Sequence, residues 1–333
     1  MVVRFGLLGA GRIGKVHAQA VSGNPGARLV AVADAVAPAA EALAADYGAE
    51  VRTVEAIAEA PDVDAVVICT PTDTHAELIE AFARKGKAVF CEKPVDLDVA
   101  RVRACLKVVE ETGARLMVGF NRRFDPHFRA VRAAVDEGRV GKVEMVNITS
   151  RDPGAPPLDY VRRSGGIFRD MTIHDLDMAR WLLGEEPVAV AAFGSVLTDP
   201  EIGRAGDFDS VNVLLETAGG RQAVISNSRR ATYGYDQRIE VLGSGGMVAA
   251  ENQREVSIEV ATGAGFLRPP LLDFFMNRYT AAYAAEIASF VAALREGTPL
   301  APSGQDGLAA LVLAEAAVRS VTEGRRVEVS EIG

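Results

Sequence analysis

Residues that build metal centres and disulfide frameworks are scarce here: 333 residues include three cysteines and four histidines. Cys69, Cys91 and Cys105 all fall in the first third of the chain, and no two form a CxxC pair. A disulfide scaffold and a thiolate zinc knuckle are therefore excluded. Cys69 and Cys91 sit in apolar, strand-like runs, where a free thiol acts as a small hydrophobe. Basic runs are also missing. The 36 Lys and Arg are outnumbered by 45 Asp and Glu, giving a net charge of −9, which speaks against a polyanionic partner such as nucleic acid. No uninterrupted apolar stretch approaches the roughly 20 residues of a membrane-spanning helix. Met1-Val2-Val3-Arg4-Phe5 runs straight into a strand pattern rather than a signal-peptide layout. The expectation is a soluble, cytoplasmic protein with reduced thiols and no nucleic-acid or membrane partner.

What the chain does have is length and two rhythms. A chain of this size exceeds one typical hydrophobic core, so two domains are expected. Up to residue 121, apolar runs at Val3–Gly9, Arg28–Asp34, Ala65–Thr70, Ala88–Glu92 and Leu116–Phe120 alternate with alanine-rich helical patterns. Nearly continuous apolar runs suit parallel strands covered by helices on both faces. The alternation predicts a doubly wound α/β Rossmann domain over 1–121. From 122 to 333, strand patterns dominate at Lys142–Ser150, Val188–Leu197, Ser210–Glu216, Gln222–Asn227, Gln237–Leu242 and Val256–Ala261. Glycine turns separate the last four, and helical segments intervene at Asp170–Leu183, Asp273–Arg295 and Gln305–Glu323. This second domain is predicted to be α+β, with a large, mostly antiparallel open sheet.

Gly9-Ala10-Gly11-Arg12-Ile13-Gly14 is a complete GxGxxG between a strand and a helix. Gly9 makes the tight turn, Gly11 admits a pyrophosphate, and Gly14 lets helix and strand pack closely. The N–H groups of the helix start, at Arg12 and Ile13, then meet the phosphates. Asp34 ends the second strand, where a carboxylate accepts from a ribose 2′-hydroxyl and repels a 2′-phosphate. Ala35-Val36-Ala37 offers no arginine or serine to hold that phosphate, so NAD is predicted over NADP. Thr70-Pro71-Thr72 and Glu92-Lys93-Pro94 both end strands at the carboxyl edge where such sheets bind ligands. His75 opens the following helix, either lining the dinucleotide or serving only as a helix-start residue.

The run from Gly165-Gly166 through Asp170 to His174 places a carboxylate and an imidazole four residues apart, on one helix face. The double glycine lets backbone and ligand approach closely. Imidazole exchanges a proton near neutral pH, and a neighbouring carboxylate can orient it. Lys93 is badly placed for a core and well placed for a pocket. Its pairing with Glu92 is weakened because successive strand residues face opposite ways. A zinc site at Asp170, His174 and Asp175 is discounted, since no third neutral or thiolate ligand clusters with them; no metal is expected.

A Rossmann half carrying Glu92-Lys93-Pro94, then G-G-x-x-x-D-x-x-x-H-D at Gly165–Asp175 and an antiparallel second half, resembles the Gfo/Idh/MocA oxidoreductases over essentially the whole chain. Within that family the chain is most similar to the inositol 2-dehydrogenases. The likeness extends to Gly119–Pro126, Ser150-Arg151-Asp152-Pro153 and Ser228–Tyr235. The resemblance implies NAD-dependent oxidation of myo-inositol to its 2-keto form, scyllo-inosose, with Lys93, Asp170 and His174 as the catalytic trio. His174 would be the base for the hydroxyl proton, Lys93 the donor to the reacting oxygen, and Asp170 the positioning carboxylate. Asn121, Arg122, Asp152 and Tyr235 are placed at the polyol by the same resemblance. Arg122 and Arg123 equally suit a pairing with Asp125, and Tyr235 a cap on the sheet. A homotetramer through the open sheet of the second domain is implied as well. Other readings keep the fold: a scyllo-inositol, D-chiro-inositol or glucose dehydrogenase, a non-catalytic NAD-binding regulator, or an NAD-dependent glycoside-cleaving enzyme.

Overall fold

The computed structural model describes residues 2–333. Strands and helices alternate along the first third: Val3–Leu8 (β1), Arg12–Ser22 (α1), Ala27–Ala33 (β2), Ala37–Tyr47 (α2), Glu50–Val51 (β3), Val54–Glu59 (α3), Ala65–Ile68 (β4), His75–Arg84 (α4), Ala88–Glu92 (β5), Val99–Thr112 (α5) and Leu116–Gly119 (β6). The six strands form one parallel sheet in the order β3-β2-β1-β4-β5-β6. Every residue of β4, β5 and β6 is buried, as the apolar runs predict for strands covered on both faces. Strand order reverses between β1 and β4, which opens a crevice at the carboxyl edge of the sheet.

The second part contains Pro126–Asp136 (α6), Val143–Arg151 (β7), Leu158–Val161 (α7), Ile173–Leu183 (α8), Pro187–Ser195 (β8), Pro200–Arg204 (α9), Ser210–Thr217 (β9), Gln222–Ser228 (β10), Asp236–Gly243 (β11), Gly246–Ala250 (β12), Val260–Thr262 (β13), Gly265–Leu267 (β14) and Phe275–Arg278 (α10). Thr280–Glu296 (α11), Gly304–Glu323 (α12) and Val327–Glu328 (β15) complete the chain. Seven strands make a sheet in the order β12-β11-β7-β10-β9-β8-β15, antiparallel except for the β7–β10 pair. The parallel pair arises because β7 inserts between β10 and β11, a pairing that local alternation does not encode. The strand expected over Val256–Ala261 is shorter. Only Val260–Thr262 forms, pairing with β14 in a separate hairpin, while Val256 and Ile258 stay exposed without a partner strand in the large sheet.

The two compact units do not divide the chain at one point. The first runs through Phe124 and takes in Thr280–Leu311; the second is Asp125–Tyr279 with Val312–Gly333. This corrects the expectation of a second domain continuous over 122–333. Phe290 of α11 packs against Phe5 and Phe90 of the parallel sheet, with ring centroids 6.0 and 5.9 Å apart, and so returns to the first unit. All three cysteines are buried and free. Burial pushes the Cys69 and Cys91 thiols far up and the Cys105 thiol to about 12, which keeps them inert.

Candidate active site

In the first unit, the glycines of the β1–α1 loop are set by close contacts. Gly9 has φ of 95°, and a Cβ there would lie 2.6 Å from the Cys69 carbonyl oxygen, so the loops after β1 and β4 touch at the switch point. A Cβ at Gly14 would stand 1.9 Å from the Gly9 carbonyl oxygen. Around Gly11, by contrast, a Cβ would meet nothing within 4 Å. That open space lies at the start of α1, where no side chain caps the first-turn N–H groups and Arg12 is exposed. Space and donors together fit a dinucleotide pyrophosphate. Asp34 adds a second role: its Oδ2 accepts from Ala10 N at 2.6 Å and its Oδ1 from Val36 N at 2.7 Å, so the carboxylate also braces the glycine loop. Asp34→Ala is therefore expected to weaken both cofactors, and only their ratio reports the ribose contact. The kcat/KM preference for NAD over NADP should fall about 10-fold or more, since a hydrogen bond to a charged group is worth about 1.5–3 kcal/mol. An unchanged ratio in initial-rate assays would contradict the ribose role.

Two residues expected near the cofactor turn their side chains inward. His75 is buried, with Nδ1 2.8 Å from the Pro94 carbonyl and Nε2 2.8 Å from the Thr70 carbonyl. Both ring nitrogens thus tie the loop after β4 to the loop after β5, as suits the helix-start reading of His75. Glu92 is also turned inward. Its Oε1 lies 2.6 Å from His17 Nε2 and its Oε2 accepts from the Lys93 backbone N–H at 3.3 Å. Thr70 and Thr74 pair through their hydroxyls at 2.6 Å, and Thr74 donates to the Pro71 carbonyl, which holds the Thr72–Thr74 turn. Lys93 is half-buried at the carboxyl edge, next to the cis Lys93–Pro94 peptide. Asn121 and Arg122 follow β6 in a single turn and are both buried, while Arg123 pairs with Asp306 at 2.9 Å.

Among the described residues, one set of three ligand-type side chains converges, and it is not Asp170, His174 and Asp175 but His17, Glu92 and Glu286, all buried. Burial, and then the charge of Glu92, push the Glu286 carboxyl well above its ordinary range, and neither of its oxygens has a hydrogen-bond partner. An acid raised in the folded state holds a proton that the unfolded chain releases. Its stabilisation is therefore full below the unfolded value near 4.5 and drains as pH rises toward the folded one, by at most about 1.4 kcal/mol per pH unit. Glu286→Gln removes that slope, so its Tm advantage over the native chain should grow from about pH 5 to about pH 8. An advantage equal at both pH values would contradict a protonated Glu286.

In the second unit, Asp170 lies in a π-helical turn, Phe168–Thr172, that leads into α8. The helix expected from Asp170 onward thus begins with a wider turn, of a kind that recurs at functional sites. Residues four apart still come round to the same side. Asp170 Oδ1 accepts from the Tyr160 hydroxyl at 2.8 Å, and Oδ2 lies 3.7 Å from Arg229 Nη1. Arg229 is only 1% exposed and also pairs with Asp207 at 3.1 Å. Asp207 in turn accepts from Ile167 N at 2.9 Å, and a Cβ on Gly166 would stand 2.8 Å from its Oδ1. Gly166 therefore makes room for Asp207.

His174 opens α8, half-buried, with Nδ1 shielded from solvent. The next residue, Asp175, accepts from Asn227 Nδ2 at 2.9 Å, fixing the start of α8 over the end of β10. Asp152 leaves β7 bonded to the backbone of Ser228 and Ala231. Tyr235 is buried just before β11, edge-on to Tyr279 at 6.0 Å, and β11 begins where Asp236 pairs with Arg151. Asp152, Asp170, His174 and Tyr235 thus gather at one end of β7, β10 and β11. Arg229, Asp207 and Tyr160, which hold Asp170, carry no signal in their spacing that marks them beforehand.

Residues 3–120 match the family model of an oxidoreductase family with an NAD-binding Rossmann fold, and residues 128–249 match the GFO/IDH/MocA C-terminal domain. The chain belongs to the Gfo/Idh/MocA oxidoreductases. Inositol 2-dehydrogenase of Rhizobium meliloti (strain 1021) is 74% identical over 330 residues, covering 99% of this chain and 100% of that protein. Myo-inositol 2-dehydrogenase of Thermotoga maritima is 45% identical, covering 99% of each. The structure of scyllo-inositol dehydrogenase from Lactobacillus casei with bound cofactor NAD(H) and scyllo-inositol superposes with a TM-score of 0.92. That match has 29% identity and covers 99% of this chain and 100% of that one. Within the Gfo/Idh/MocA oxidoreductases, then, this chain is an NAD-binding enzyme, as its glycine loop and Asp34 predict.

Proposed function

We propose that the chain is an NAD-dependent inositol 2-dehydrogenase that oxidises the 2-hydroxyl of myo-inositol to the ketone scyllo-inosose. The reading is carried by the end-to-end 74% identity to the R. meliloti inositol 2-dehydrogenase. NAD, when bound, supplies the hydride acceptor. The Gly9–Gly14 loop, with Arg12 and Ile13, takes the pyrophosphate; Asp34 takes the ribose, and Thr70-Pro71-Thr72 flanks the dinucleotide. His174 removes the hydroxyl proton through its imidazole and returns it in the reverse direction. Lys93 donates from Nζ to the reacting oxygen as negative charge develops there. Asp170, held by Tyr160 and Arg229, accepts from a neighbouring hydroxyl and keeps the ring in register. Asn121, Arg122, Asp152 and Tyr235 supply the further polar contacts that a polyol requires.

The same reading includes a homotetramer in the cytoplasm. One face of the seven-stranded sheet carries α8, packed on β7 and β10. The other leaves Leu214, Val224, Leu242 and Met247 exposed, with Phe193 78% exposed, and a second copy is the natural cover for such a face. Among the described residues no helix is long and apolar enough to cross a membrane. NADH formation with a panel of myo-inositol, scyllo-inositol, D-chiro-inositol and glucose tests the substrate. Myo-inositol should give the highest kcat/KM. A higher value for glucose would move the chain to a sugar dehydrogenase, and no NADH from any of them would remove the dehydrogenase reading.

A further inference from the structure

Behind the crevice of the first unit lies a buried polar link that the reaction as described does not use. His17, in the second turn of α1, is 0% exposed and packs against Phe90 at 5.0 Å and Tyr283 at 5.5 Å between ring centroids. Its Nε2 is 2.6 Å from Glu92 Oε1. The other oxygen of the same carboxylate accepts from the backbone N–H of Lys93 at 3.3 Å. Room for this carboxylate depends on Gly119 at the end of β6, where a Cβ would stand 3.3 Å from the carboxyl carbon and both oxygens. One carboxylate therefore joins the helix that begins at the glycine loop to the peptide that carries Lys93.

A buried link of this kind is weak evidence for a purely stabilising role. Buried ion pairs and their hydrogen-bonded kin are often replaced by apolar groups of the same size without loss of stability. Nor does the set suit a divalent cation, although one histidine and two glutamates have the composition for it. His17 Nε2 and Glu92 Oε1 already stand at hydrogen-bond distance, closer than the roughly 3 Å or more that separates two ligands each about 2.1 Å from one ion. Glu286 Oε1 is farther from the imidazole, at 4.0 Å.

We propose that His17 and Glu92 are positioning residues for Lys93: their hydrogen bond fixes the Lys93 peptide, and through it the ammonium, relative to the helix whose start faces the cofactor phosphates. The inference rests on the role of Lys93 proposed above. Displacing a reacting group by about 1 Å can cost about 100-fold in rate, whereas the phosphates and ribose are assigned above to the glycine loop and Asp34 and not to this link.

Four variants test it in the full-length enzyme, each measured for kcat, polyol KM, NADH dissociation constant and Tm. His17→Leu removes the donor and keeps apolar bulk. His17→Gln keeps a donor close to where Nε2 sits. Glu92→Gln retains one acceptor oxygen and so can serve only one of the two partners. Lys93→Met is the control for the underlying reading. His17→Leu and Glu92→Gln should lower kcat about 10- to 100-fold with polyol KM and NADH binding within about threefold of native, and His17→Gln should recover most of the loss. Native kcat in His17→Leu with only a lower Tm would overturn the proposal, as would His17→Gln no better than His17→Leu. If His17→Leu does not fold, native kcat in Glu92→Gln overturns it alone. Lys93→Met with native kcat would instead remove the role of Lys93 itself, a failure distinct from that of the link.

Discussion

Replacing His174 with alanine is expected to lower kcat by about 100- to 10,000-fold, the usual contribution of a positioned general base. The NADH dissociation constant should stay within about twofold of native. The reason lies in where each task is placed. In the proposed reading cofactor recognition falls to the glycine loop and Asp34, in the first unit, and His174 belongs to the second. The substitution is also mild for the fold. Alanine is the best helix former, His174 is only half-buried, and α8 is anchored by buried Ile173, Leu176 and Leu182 and by the Asp175–Asn227 bond. Steady-state kinetics and a fluorescence titration with NADH separate the outcomes. A kcat within about tenfold of native, or a loss of NADH affinity equal to the loss of rate, would remove His174 as the base.

The second large effect contrasts two glycines three residues apart. Gly14→Ala pushes a methyl to 1.9 Å from a backbone oxygen of Gly9 and 3.4 Å from the Leu7 side chain. Backbone cannot rotate away as a flexible side chain would, so α1 must shift off β1, costing about 1–3 kcal/mol or more as overpacking does. Melting of the apo protein should drop by several degrees, and NADH affinity should fall with it. Gly11→Ala meets nothing, and its φ of −70° suits any residue. Its apo melting temperature should be native, yet its NADH affinity should fall about 10-fold or more, because the methyl occupies the approach of the pyrophosphate. Native NADH binding by Gly11→Ala would show that the open space is not the phosphate cradle.

Legibility from sequence follows how local each constraint is. The glycine loop and Asp34 could be read because a tight turn, a close approach and a ribose contact each demand one residue type at one place. The parallel strands could be read because burial on both faces leaves continuous apolar runs, although β3, with two residues, is too short to show. The return of α11 to the first unit could not, since Phe290 and Ile287 look like any apolar helix stripe, and the sheet they choose is a tertiary matter. Glu92 ends β5 and His75 opens α4, as the pattern predicts, but position along the chain does not give direction. Both side chains turn inward, to His17 and to two carbonyls. The Asp170–His174 spacing is visible in the sequence, whereas the groups that hold Asp170 lie 10 residues away at Tyr160 and at Arg229, itself joined to Asp207 across 22 residues of chain.

Myo-inositol carrying deuterium on the carbon that bears the 2-hydroxyl provides the most direct test. In the proposed reaction, oxidation at that carbon would transfer its hydrogen, with both bonding electrons, to NAD, while the hydroxyl proton would go to His174. The NADH formed should then contain one deuterium per turnover, and the ketone should be scyllo-inosose without label. Unlabelled NADH with deuterium retained in the ketone would place the oxidation at another carbon and contradict the account.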